Sequence, residues 1–391
     1  MKNMKDVFIV AAKRTPTGGF LGSLQAFTAT ELGSLVAQEI RKELDLPATA
    51  IDSLYIGNGL SAGLGQSPAR QVGILSGLSP DTEATTINKV CSSGLKAVSL
   101  AAQQIQLGQE HLVLAGGIES MSNVPFYSSH RQAHKLGHIQ TIDGLLKDGL
   151  TDAYAQCHMG NAAEIGIRHF AFTREELDQY ALDSYTKAQK ATEEGKFKAE
   201  IIPIALPKQK EKMDTDEDIY KIIPEKLPQL RPVFEEGGAL TAANSSNLND
   251  GAALLLLASA EAIQKHGLQP LARIVSYADA AQDPLWFTTA PALAIPKALE
   301  RADLTLDAID LFEINEAYAS VPLSIAKRLD VPLDRINIRG GAVALGHPIG
   351  ASGARILVTL THALQQENKR YGLAAICNGG GGATALIIEK L

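Results

Sequence analysis

Apolar positions alternate along the chain between a period near two and a period near 3.6. Residues 7–12 (VFIVAA) are continuously apolar, as in a strand covered on both faces. Over 30–44, Leu32, Leu35, Val36, Ile40 and Leu44 return at helical spacing, with Thr30 placed as the N-cap. ATAIDSLYIGNGLS then reads as a strand with a glycine-rich exit. Thr85, Thr86, Ile87 and Val90 read as a short buried strand, and Leu95, Val98, Ala101 and Ile105 as a helix reaching Leu107. HLVLAGG, residues 111–117, adds a strand with a tight glycine end.

The last third repeats this order. A helix over 290–302 is followed by LDAIDLFEINEAYA, a helix over 354–365 and the apolar strand LAAICNGGGG. AIDLFEINE begins 258 residues after AIDSLYIGN, and Ser352-Gly353 lies 259 residues after Ser93-Gly94. Matched motifs at one offset, in one element order, point to a duplicated unit. In the second copy the last strand passes through glycines straight into ATALIIEKL. In the first, the matching partner GAALLLLAS arrives only at residues 251–259. The expected division is therefore 1–117 plus 250–270 for one half, 118–249 for an insertion over the strand ends, and 271–391 for the other half. The fold class is α/β: two halves, each a mixed sheet covered by helices, with central helices stacked between them.

Composition adds mostly exclusions. The chain has 391 residues, 45% hydrophobic and 20% charged, and a net charge of −7 with no long basic run, which argues against nucleic-acid binding. No apolar run approaches a membrane span, and the N-terminus enters a strand with no leader-like segment. Cys91, Cys157 and Cys377 are odd in number and widely spaced, which fits a reducing, cytoplasmic setting and neither a disulfide framework nor a metal site.

The chemistry-bearing residues cluster at the ends of the repeated strands. Cys91 falls at a strand-to-helix turn, where free N–H groups and the helix dipole favour a thiolate. By itself the turn leaves open an inert buried thiol or a nucleophile. The second half offers Asn315 in EINEAY, His347 in GHPIG and Cys377 in CNGGGG. An imidazole can take a thiol proton near neutral pH. The bare N–H groups around Gly379 lead into a strand rather than a helix, which suits an oxyanion hole better than a phosphate loop.

With NKVCSSGLKAV, GGIESMS, NDGAA, NEAYA, GGAVALGHPIGASGARIL and CNGGGG on one chain, the sequence resembles the thiolase family over essentially its whole length. The resemblance implies a five-layered αβαβα fold and a homo-oligomer, a tetramer rather than a dimer, since GHIQTIDGLLKDGL and residues 120–145 resemble the family's tetramerisation loop. It implies Cys91 as acyl acceptor, His347 as its base and Cys377 as the proton exchanger at the α-carbon. Asn315 would hold a water against the enolate oxygen, and Cys91 and Gly379 N–H groups would form an oxyanion hole. Ketosynthases pair one Cys with two His, so the second Cys favours thiolase.

Further matches place His158 and Met159 in the acyl pocket, Ala242 and Ser246 beside the pantetheine arm, and Phe234 near the adenine. Phe287 stands where relatives carry Met, and Tyr318, beside Ala317, where Phe is common. Tyr220 and Lys221 replace an expected Arg; Lys208, Lys210 and Lys212 are candidates for the CoA 3′-phosphate or a solvated face. The implied partners are acetyl-CoA, acetoacetyl-CoA and CoA, the last a substrate and product, with no resident cofactor, metal, nucleic acid or membrane. The expected activity is reversible condensation of two acetyl-CoA. The alternatives are thiolysis of longer 3-ketoacyl-CoA and, remotely, silent acyl-CoA binding.

Overall fold

The computed structural model describes residues 4–128, 135–207 and 209–391. Lys208 and residues 129–134 of the expected tetramerisation loop lie outside the described residues. Among the described residues ten strands make one sheet. Nine form its continuous path: β1 (Val7–Arg14), β2 (Ser53–Gly57), β3 (Glu83–Ile87), β4 (Leu112–Ser120), β5 (Asn249–Ala258), β6 (Ala272–Ala281), β7 (Leu311–Ile314), β8 (Tyr371–Asn378) and β9 (Gly382–Lys390). The two-residue strand Gly18–Gly19 pairs with the start of β5. The spatial order of the nine is β7-β8-β9-β6-β1-β5-β4-β2-β3.

That order is symmetric about its middle. From β1 outward, β5 and β4 follow antiparallel and β2 and β3 parallel. From β6 outward, β9 and β8 follow antiparallel and β7 parallel, and a parallel bridge from Phe312 to Ile336 stands where β2 meets β3. The halves are joined edge to edge where Val7 pairs with Ile274 and Ile9 with Ala272. Two separate sheets were expected; the antiparallel β1–β6 contact makes them one.

Six helices matter for the site: α1 (Ala29–Glu43), α2 (Ser93–Gln106), α3 (Met159–Phe170), α4 (Pro291–Ala302), α5 (Ser320–Leu329) and α6 (Ile349–Gln366). On β5, Leu254 and Leu256 pack toward α1, while Leu255 and Leu257 face the opposite way toward α2 and α6. On β9, Leu386 and Ile388 face the same central helices, and Ala385 and Ile387 face α4 and α5. Period-two strands apolar on both faces are what a sheet buried between helical layers requires. The result is five layers, αβαβα, and the expected class holds. α6 is buried from Ile349 to Leu364, as a helix with no solvent face must be.

Local chemistry moves two expected boundaries. α1 is capped by Thr28, not Thr30: Thr28 Oγ1 accepts from the Glu31 N–H at 3.3 Å, and Glu31 Oε2 accepts from the Thr28 N–H at 2.8 Å. This reciprocal box needs a Glu three residues on, which Thr30 lacks. β4 continues through Ile118 and Glu119 to Ser120, past Gly117. The segment that follows is docked on β1 by the buried Arg14, whose Nε meets Glu200 at 2.6 Å and whose Nη atoms meet Asp216 at 2.6 and 2.9 Å. Removing one partner of such a buried pair costs about 3–5 kcal/mol. No helix among the described residues is long and apolar enough to cross a membrane.

Candidate active site

Cys91 sits two residues ahead of α2, in a turn tighter than the expected strand. β3 ends at Ile87, and Val90 adopts φ 50°, left-handed backbone that a β-branched residue enters only under constraint. The constraint is visible: Asn88 Oδ1 accepts from the Val90 N–H at 3.0 Å, and Ser93 Oγ accepts from the Lys89 N–H at 2.8 Å. Lys89 Nζ reaches across to the other half, meeting Asp279 at 2.5 Å, Thr384 Oγ1 at 2.9 Å and the Ala383 carbonyl at 3.1 Å. The turn that carries Cys91 is therefore pinned to β6 and β9.

His347 comes from the loop before α6. Its N–H donates to Asn249 Oδ1 at 2.8 Å, and Gly346, at φ 93°, approaches the Asn249 side chain so closely that a Cβ would lie 2.4 Å from it. Only glycine fits there. Ser352 Oγ lies 2.5 Å from His347 Nδ1 and 2.9 Å from the Pro348 carbonyl. A serine has one hydrogen, and the carbonyl can only accept it. Nδ1 must then carry the imidazole proton, leaving Nε2 as a lone pair; Nε2 has no protein partner among the described residues. Burial first, then the Arg355 guanidinium, pushes the His347 pKa down to about 3, so the ring is neutral.

The thiol does not rest as a thiolate. Burial pushes Cys91 up to about 12, against the pull of the Gly379 and Cys91 N–H groups, with Glu119 adding to the rise. The expected gain from the helix N-terminus is outweighed because the turn is deep between the two halves. Those same N–H groups are aimed at the Cys91 sulfur. Burial, then the nearby Cys91, also pushes the Cys377 thiol upward.

A cavity of about 400 Å³ gathers Cys91, His347, Gly379, His158, Met159, Phe234, Ala242, Ser246, Phe287, Ala317 and Tyr318. Cys377 and Asn315 are buried and do not line it. Cys377 lies near enough to Cys91 to feel its charge, and both amide atoms of Asn315 lack a partner among the described residues. His158 is the N-cap of α3: its Nδ1 accepts from the Gly160 N–H at 3.0 Å, which leaves Nε2 as the donor. Its ring stacks on Phe234 at 4.8 Å, and Tyr318 stands edge-on to both Phe234 and Phe287, at 5.8 and 6.4 Å. Ser246 Oγ is spent on the Ala317 carbonyl at 2.9 Å. Tyr220 and Lys221 lie outside this lining, and Lys221 pairs with Asp218 at 2.5 Å.

Sequence reasoning missed Leu146, Gly149 and Leu150, which also line the cavity. They sit in GLLKDGL, a run assigned to oligomer contacts. It missed Ser352, legible only as a repeat marker, and Met121 in GGIESMS. Among the described residues no cluster of three or more His, Cys, Asp or Glu side chains is arranged to hold a metal ion.

Residues 7–261 match the thiolase N-terminal domain and residues 268–390 the thiolase C-terminal domain. A probable acetyl-CoA acetyltransferase of Dictyostelium discoideum is 49% identical, the match covering 100% of this chain and 95% of that one. The cytosolic acetyl-CoA acetyltransferase of Gibberella zeae is 46% identical, covering 100% of both. A mitochondrial one from Rattus norvegicus is 47% identical, covering 99% and 92%. Among solved structures, a thiolase of Ascaris suum in complex with coenzyme A superposes with TM-score 0.94 at 47% identity, covering 99% and 100%. Human mitochondrial 3-ketoacyl-CoA thiolase superposes at 0.96 with 38% identity, covering 100% of each chain. Both domains, the full-length identities and the symmetric sheet agree: the chain belongs to the thiolase family.

Proposed function

We propose that the chain condenses two acetyl-CoA to acetoacetyl-CoA and CoA, and runs the reverse thiolysis, through an acetyl group carried on Cys91. The supporting observation is one small cavity that holds Cys91, a neutral His347 with a free Nε2 and the Gly379 N–H. As the thioester arrives, Nε2 takes the Cys91 proton and the sulfur attacks the carbonyl carbon. The Cys91 and Gly379 N–H groups meet the oxyanion, and CoA leaves with the proton held by His347. His347, neutral again once CoA has left, takes the Cys377 proton. The Cys377 thiolate then removes a proton from the methyl carbon of the second acetyl-CoA, and His347 returns its proton to the Cys91 sulfur as that sulfur departs. His347 and a water on Asn315 stabilise the enolate oxygen, and the carbanion displaces Cys91 to form acetoacetyl-CoA. Full-length identity to acetyl-CoA acetyltransferases supports this choice of substrate.

The acyl end of the cavity is walled by Phe287, Tyr318 and Met159, which favours short chains. Phe234, expected beside the adenine, instead stacks on His158 and packs against Tyr318 at this end. His158 offers its Nε2–H to the thioester oxygen, and Ala242 and Ser246 flank the pantetheine arm. No resident cofactor takes part in this scheme. With the first boundary moved to the end of β4, the division reads 1–120 plus 249–270 and 271–391, with 121–248 inserted. We also propose a cytoplasmic homotetramer: Phe126 and Ile139, on the arm around the hairpin of Phe126–Tyr127 with Ile142–Asp143, are 67% and 59% exposed, apolar surface that a second copy would cover. Thiolysis rates on acetoacetyl-CoA and on longer 3-ketoacyl-CoA test the substrate assignment. A steep fall with length is expected; equal rates would overturn it in favour of the degradative reading.

A further inference from the structure

Glu119 is a fully buried carboxylate that no step above uses. Its Oε1 accepts from Asn58 Nδ2 at 2.7 Å, and its Oε2 from the N–H groups of Gly59 at 3.0 Å and Gly350 at 2.8 Å. The Leu60 N–H is shared between both oxygens at 3.3 and 3.2 Å. Three of these donors lie in the turn after β2, in the first half. The fourth is in the first turn of α6, three residues past His347.

α6 lacks a cap of its own. Pro348 stands at its N-cap with no side chain to accept a hydrogen bond, and its first turn carries no acidic residue. Free N–H groups and a positive dipole end call for an anion there, and the other half of the molecule supplies it. The junction has no slack: a Cβ on Gly59 would lie 2.8 Å from Glu119 Oε2 and 2.9 Å from Ile349.

We propose that Glu119 is a positioning residue for acyl transfer, its carboxylate fastening the start of α6 to the turn after β2 and so fixing His347 against Cys91. Its charge has a second consequence. Burial pushes the Glu119 carboxyl up to about 7 against its four donors, so at pH 8 it is mostly ionised and opposes ionisation of the thiol. Of the other titratable groups near Cys91, Cys377 and Tyr318 are coupled to it, and His347 shares its cavity.

The inference rests on the thiolase reading above, and its test separates the two. The full-length chain and its Glu119→Gln, Glu119→Asp and Gly59→Ala variants are compared in acetoacetyl-CoA thiolysis and in iodoacetamide labelling of Cys91 at pH 8. Glu119→Gln turns an amide NH₂ toward N–H groups and removes the charge. Its kcat falls about tenfold or more at a KM within about twofold, and Cys91 labels about threefold faster. Glu119→Asp keeps the charge on a shorter arm, so kcat falls while labelling stays at the wild-type rate. Gly59→Ala crowds the same oxygen without touching any charge, and serves if Glu119→Gln fails to fold: lower kcat at constant KM supports the proposal. Wild-type kcat in these variants, or a loss confined to KM, overturns it. Labelling needs no substrate. A wild-type chain that labels at Cys91 yet never cleaves acetoacetyl-CoA counts against the function, not against the role of Glu119.

Discussion

Ser93-Gly94 in α2 and Ser352-Gly353 in α6 are equivalent points of the two halves, 259 residues apart, and the residues around them carry different chemistry. In the first half the position ahead of the helix holds Cys91; its counterpart in the second half is Gly350, and the reactive group there is His347. The acceptors beneath the two helices differ as well. Glu119 under α6 corresponds to Asn378 under α2, and Asn378 Oδ1 accepts from Ser92 Oγ at 2.8 Å. A charged acceptor stays with the helix that carries the base, and a neutral one with the helix that carries the nucleophile. On the proposed reading the duplicated scaffold divides the labour, one copy presenting the sulfur and the other taking its proton, while each helix start is held by an acceptor on the neighbouring half.

The strongest way to break this comparison is to remove the base. His347→Ala is expected to lower thiolysis of acetoacetyl-CoA by about a thousandfold, since a positioned general base contributes about 10²–10⁴. Steady-state rates check it, and a loss under tenfold would mean that Cys91 ionises without help. Next comes the acceptor swap. Asn378→Asp sets a carboxylate beneath α2, so the oxyanion meets a like charge and Cys91 is pushed further up; a fall of about tenfold in kcat is expected. Unchanged kcat would make the Glu119/Asn378 difference incidental.

Two smaller effects sharpen the picture. Ser352→Ala deprives His347 Nδ1–H of its acceptor and frees the ring to carry its proton on Nε2. A loss of about two- to tenfold in kcat at constant KM is expected, the worth of one buried hydrogen bond. In the wild type, the pH dependence of iodoacetamide labelling follows from burial. The Cys91 pKa is raised above the ordinary thiol value, so the thiolate fraction is smaller at every pH and the rate still climbs beyond pH 9. A plateau by about pH 10 would show a thiol that ionises like a free cysteine.

What the sequence made legible was what local pattern encodes. The offset of Ser93-Gly94 and Ser352-Gly353 reports the duplication, and the four consecutive leucines of β5 fit a sheet covered on both sides. Placing Cys91 and His347 beside helix starts needs only periodicity and glycines. The misses are effects of tertiary packing. Neighbours force Val90 into left-handed backbone, where its β-branched shape argued for a strand. The favourable dipole at Cys91 is real but smaller than the desolvation imposed by the other half. Leu146, Gly149 and Leu150 turn inward to the cavity although their run reads as an oligomer contact. Ser352 acquires a role only once His347, five residues earlier, folds back upon it.

The central claim is that the acetyl group rests on the first half while its proton passes to the second. The most direct measurement is peptide mapping by mass spectrometry after brief exposure to acetyl-CoA, in wild type, Cys91→Ala and His347→Ala. The account predicts one acetyl group, on Cys91 in the wild type, absent from Cys91→Ala and much slower to form in His347→Ala. Acetylation at another residue, or at the wild-type rate without His347, would contradict it.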